Sequence, residues 1–151
     1  MKERRYNLKL PTVTWKRDDA MIGLLLVAHA GLARELLTAA EMIVGKTDMV
    51  EAVGIGPNDP VDEIREAISG AIQKVGKDGV IIMTDMFGGT PSNMGLSFLD
   101  ENRVEVLTGV NLPMVIKFFS ERGMYGVSEL AEKLKKCGCE GISVAGDYLK
   151  K

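Results

Sequence analysis

Histidine occurs once in this chain, at position 29, and cysteine only twice, at positions 137 and 139. A structural zinc site needs four ligands, mostly Cys and His, so these three residues fall short of one. Two thiols separated only by Gly138 read instead as reduced cysteines at a helix end. No apolar run reaches the roughly 18 residues that a membrane-spanning helix requires. The N-terminal stretch MKERRYNLKL is basic but lacks the apolar centre and small-residue cleavage site of a secretory signal. The expected compartment is therefore the cytoplasm. The Gly-x-Ser-x-Gly elbow of serine hydrolases is also missing, as are internal repeats and low-complexity tracts.

What is there suits one globular domain. The chain has 151 residues, 46% hydrophobic and 26% charged, enough to bury a core and typical of a folded, water-exposed protein. Its net charge of −2 divides unevenly: residues 1–20 carry +3 and the remaining residues −5. Regular apolar patterning starts only at Met21, which offers an alternative start. Residues 1–20 are therefore read as an extension and residues 21–151 as the domain. Six dispersed basic residues without a binding motif do not make a nucleic-acid arm.

From Met21 the pattern alternates between two periodicities. Met21–His29 (MIGLLLVAH) is continuously apolar, as in a strand covered on both faces. Leu32, Leu36, Ala39, Ala40 and Ile43 then follow at helical spacing, stopped by Gly45. Further strands are predicted at Met49–Ile55, Gly79–Asp85 and Arg103–Val110. Helices are predicted after Asp59 as cap and Pro60 as first residue, over Pro91–Leu99 with Thr90 as cap, over Met114–Glu121 and over Ser128–Lys136. Gly141–Ala145 is predicted as a short last strand. This α/β order implies a doubly wound, mainly parallel sheet of order 2-1-3-4 with helices on both faces. The functional crevice of such a sheet lies beyond the carboxyl ends of strands 1 and 3, where the winding reverses. His29 ends the first of these strands and Asp85 the third.

A lone imidazole without metal-ligand companions can act as base or nucleophile. Phosphoryl transfer suits it: a carboxylate that accepts one ring N–H leaves the other nitrogen's lone pair free to attack. Asp85 is the candidate acceptor. Gly88-Gly89-Thr90-Pro91 offers uncrowded backbone N–H groups, and a hydroxyl from Thr90, for a phosphate dianion. In-line transfer then needs positioning and charge stabilisation, with no metal or other cofactor. Taken one at a time, the residues leave open a packing role for His29 and a plain strand-to-helix turn for Gly-Gly-Thr-Pro. Ala40–Thr47 (AEMIVGKT) imitates the end of a nucleotide-binding loop, but Ala40 replaces its first glycine and the stretch closes a helix.

Three segments, MIGLLLVAHAGLARELLTAAEMIVG, VIIMTDMFGGTPSNMG and VEVLTGVNLPM, resemble the enzyme IIA domain of the mannose family of the bacterial phosphoenolpyruvate-dependent sugar phosphotransferase system, in that family's order and spacing. The resemblance covers the chain from Met21 onward. It implies that His29 is phosphorylated on Nε2 by the phosphocarrier protein HPr, that Asp85 holds the other ring nitrogen, and that Gly88, Gly89 and Thr90 lie beside the phosphate. It also implies transfer to a IIB domain, which phosphorylates sugar crossing a membrane permease, and a homodimer exchanging the final strand, Gly141–Ala145. Ala28 and Ala30 flank His29 where small residues are common, the N-terminal extension departs from the pattern, and no IIB domain is fused here. Two alternatives stand beside this expectation. One is a related carrier for a dihydroxyacetone kinase or for a regulatory circuit without transport. The other is a binding module that takes a flavin or nucleotide in the same crevice.

Overall fold

Leu24, Leu25, Leu26 and Val27 are almost wholly buried in the middle of the first strand, β1 (Gly23–His29). β1 lies between β2 (Val50–Ile55) and β3 (Val80–Thr84), and β4 (Val104–Thr108) flanks β3. All three pairings are parallel, giving the order β2-β1-β3-β4 expected from the alternating pattern. A computed structural model describes residues 20–150. The extension predicted for residues 1–20 lies outside the described residues, except for Ala20.

The side chains of β1 alternate between two apolar layers, which is why both parities must be apolar. Leu24, Leu26 and Ala28 face α1 (Leu32–Val44), α4 (Leu112–Glu121) and α5 (Val127–Glu140), where Phe118 and Leu130 are fully buried. Leu25 and Val27 face α2 (Val61–Val75) and α3 (Thr90–Leu96), against Ile68 and Met94. Each fully buried Leu or Phe contributes about 1.5–3 kcal/mol by leaving water.

The differences from the sequence expectation lie at the ends of elements. Asp59 does not cap α2. Its Oδ2 instead accepts the Gly56 N–H at 2.6 Å, closing the preceding turn, and Pro60 takes the cap position. Gly89 precedes α3 in extended conformation, so Thr90 becomes its first residue and is not its cap. α3 ends at Leu96, three residues early, because Phe98 and Leu99 turn back onto Gly95 and Leu96 with tighter hydrogen bonds. Asn111 caps α4 by accepting the Met114 N–H, and its side-chain amide donates to the Gly138 carbonyl at 2.9 Å. That bond accompanies the longer course of α5, which runs through both cysteines to Glu140.

The last predicted strand, Gly141–Ala145, does not form. Gly141 ends α5, the following three residues are irregular, and Ala145–Leu149 makes a short 3₁₀ turn. A strand exists only through a ladder with a neighbour, and among the described residues this segment pairs with no strand. The Lys46-Thr47 decoy also resolves. The Thr47 N–H and hydroxyl both donate to Glu41 Oε1, at 3.1 and 2.9 Å, binding the loop to the end of α1.

Candidate functional site

The parallel register pairs Val27 with Thr84. His29, two residues further along β1, and Asp85, one residue beyond its partner, therefore emerge side by side at the carboxyl end of the sheet. Asp85 Oδ2 lies 2.7 Å from His29 Nδ1 and accepts the His29 backbone N–H at 2.9 Å. Its other oxygen, Oδ1, accepts the Met86 N–H at 2.9 Å. Burial alone pushes the Asp85 carboxyl up, but the two hydrogen bonds from His29 and the one from Met86 outweigh it and hold the group below its ordinary value. An ionised carboxylate only accepts, so Nδ1 carries the ring proton and Nε2 keeps its lone pair.

The pair is unevenly exposed. The Asp85 side chain is 12% accessible and that of His29 49%. The orienting group is thus shielded while the ring edge faces outward. Gly89 lies against that edge: a Cβ built on it would come within 2.9 Å of His29 Cε1 and 3.4 Å of Nε2. Any other residue at position 89 would push the ring aside. Thr90 follows, exposed, with its hydroxyl unused by helix capping. Of the five residues expected at the site, His29 and Asp85 are bonded and Gly89 lies against the ring, while Gly88 and Thr90 adjoin Gly89 in the chain, Thr90 as the first residue of α3.

Two further residues shape the site and were not anticipated. Gly54, near the end of β2, lies beneath the loop after His29; a Cβ there would come within 2.2 Å of the Ala30 carbonyl oxygen. Ala30 turns left-handed, with φ 51°, and its N–H donates to the Ile55 carbonyl. Glycine inside a strand signals such a close approach of two backbones, and that signal was available. Ser92 is fully buried and bonds both glycines of the turn.

Exposed apolar side chains follow both residues in sequence, Leu32 after His29 and Met86 and Phe87 after Asp85. A cavity of about 620 Å³ is lined by Val44, Lys46, Ile116, Phe119 and Arg122, among others, and by none of the site residues. Its arginine is already committed to Asp48, accepting partners being the Asp48 carbonyl at 2.7 Å and carboxylate at 2.5 Å.

A family model described as "PTS system fructose IIA component" matches residues 23–135. Among characterised relatives, the fructose-specific EIIA component of the PTS system of Bacillus subtilis strain 168 is 27% identical over 133 residues, covering 87% of this chain and 91% of the relative. The mannose-specific EIIAB component of Escherichia coli K12 is 28% identical over 124 residues, 80% of this chain but 38% of that longer protein. The crystal structure of the phosphotransferase system component EIIA from Streptococcus agalactiae superposes with a TM-score of 0.77 at 25% identity, covering 84% of this chain and 99% of that one.

Proposed function

The chain belongs to the mannose-type family of phosphotransferase-system IIA components, and within that family we propose that it carries a phosphoryl group on Nε2 of His29, taking it from HPr and giving it to a IIB component. The observation that carries this reading is the 2.7 Å contact of Asp85 with Nδ1, which leaves Nε2 as the free nitrogen at a half-exposed ring edge.

In the accepting step the Nε2 lone pair forms a bond to phosphorus as the nitrogen–phosphorus bond of the donor phosphohistidine breaks. The bonding pair returns to the donor ring. His29 keeps its Nδ1 proton throughout, and the positive character of the phosphorylated ring is balanced by ionised Asp85. In the donating step the acceptor's nucleophile attacks the same phosphorus and His29 leaves as a neutral imidazole. No proton needs to be supplied to the leaving group. Gly89 allows the phosphate to come close to the backbone, and Thr90 offers its hydroxyl to a phosphate oxygen. A half-exposed, outward-facing ring edge suits a protein donor better than a small metabolite, which a concave pocket would enclose.

That an E. coli relative is named EIIAB supports a IIB component as acceptor, in turn serving a membrane permease. The same reading makes the working protein a cytoplasmic homodimer. Incubation with labelled phosphoenolpyruvate, enzyme I and HPr is expected to label the wild type on His29 and to leave His29→Ala unlabelled. Equal labelling of the two proteins rules the assignment out.

A further inference from the structure

We propose that Ser92 is a positioning residue for phosphoryl transfer, a clamp whose hydroxyl fixes the orientation of the Gly88-Gly89 turn against the His29 ring. The inference rests on the reading of His29 as the phosphorylated residue. Ser92 is fully buried. Its Oγ accepts the Gly88 N–H at 2.9 Å and donates to the Gly89 carbonyl at 3.1 Å. One hydroxyl therefore grips the peptide groups on both sides of the Gly88–Gly89 peptide bond.

Such a clamp matters because of the sequence it holds. Two consecutive glycines have more accessible backbone conformations than any other pair, and Gly88 already sits at φ 88°. Left free, the turn can rotate a peptide group and aim a carbonyl oxygen where a phosphate must sit. Carbonyl and N–H point in opposite directions across a trans peptide. By drawing the Gly89 carbonyl toward α3, where the Asn93 N–H also donates to it at 3.0 Å, Ser92 turns the Thr90 N–H the other way, out of α3. By engaging the Gly88 N–H, it removes that group from the donors available to a ligand. The N–H groups of Gly89 and Thr90 remain, on the glycine that touches the ring and on the residue after it.

The Ser92→Ala variant removes the hydroxyl without adding volume. With phospho-HPr as donor, its transfer rate is expected to fall on the order of 10–100-fold, the scale of a small misplacement of reacting groups. The KM for phospho-HPr is expected to stay within about twofold, since no group that touches the donor protein has changed. A residue that matters only for stability would move the melting temperature and leave that split untouched. Equal kcat in wild type and Ser92→Ala overturns the clamp while leaving His29 as the carrier. A wild type that takes no label removes both proposals together. A second measurement needs no variant. In amide NMR of the wild type, the Gly88 N–H is expected to exchange slowly and to shift little on phosphorylation, while the Gly89 and Thr90 amides move strongly. A Gly88 amide that exchanges as fast as an open loop, or that shows the largest shift, overturns the assignment.

Discussion

Asp85 makes three hydrogen bonds with two oxygens, and two of those bonds come from one residue. Its depressed pKa has a definite sign. The folded value lies below the unfolded one of about 3.9, so the stabilisation is present above that pH and is lost as pH falls through the lower, folded value. At neutral pH the carboxylate is fully ionised, and Asp85→Asn tests its charge and its accepting role directly. An asparagine can present its NH₂ to Nδ1, which shifts the ring proton to Nε2 and removes the nucleophile. Phosphoryl uptake from phospho-HPr is expected to fall on the order of 10²–10⁴-fold, measured as the initial rate of label transfer. Unchanged uptake would mean that the carboxylate does not set the tautomer. Both members of this pair were legible in the sequence, because a strand's last residue and a strand-end acid at a winding reversal must meet. Ser92 was not, since a serine in the first turn of a helix ordinarily bonds locally, and nothing in its spacing tells which turn it grips.

β1 and β2 meet at a point where neither can tolerate change. Gly54 lets the Ala30 carbonyl rest on β2, and Ala30 accepts a left-handed backbone to place it there. The Gly54→Ala variant forces a Cβ into a space that ends 2.2 Å away at the Ala30 oxygen. A loss of about 1–3 kcal/mol is expected, seen as a melting temperature several degrees lower. Label uptake should also slow, because the displaced loop begins at His29. Wild-type stability in the variant would show that the loop can lift away freely. The elements themselves were readable from periodicity, whereas their ends were decided by local contacts: Asp59 turned back to Gly56, Asn111 reached to Gly138, and Gly89 displaced Thr90 from the cap. Such contacts join residues whose pairing no periodicity encodes.

At the scale of the molecule, a sheet edge and an apolar tail stay uncovered among the described residues. β4 is a sheet edge, and the segment after α5 exposes Ile142, Val144, Tyr148 and Leu149, each at least 70% accessible. Exposed edges and exposed apolar tails are liabilities that a second chain can cover. The expected outcome is a dimer for the full chain by size exclusion with light scattering, and a monomer for a chain truncated after Glu140. Both should accept label on His29, because no site residue lies in the tail. A monomeric full chain would contradict the exchange. The predicted final strand fits the same picture. Periodicity marked Gly141–Ala145 as extended, but one chain provides no ladder for it.

The double hold of Asp85 on His29, by ring and by main chain, also governs traffic. An imidazole pinned at both places cannot swivel to present its free nitrogen to a different quarter of the surface. On the proposed reading, cargo would arrive and depart through a single gateway, so the supplying and receiving proteins would exclude one another from it. A carrier of the proposed kind would work as a turnstile, admitting one visitor at a time, and an excess of either visitor is expected to slow the other.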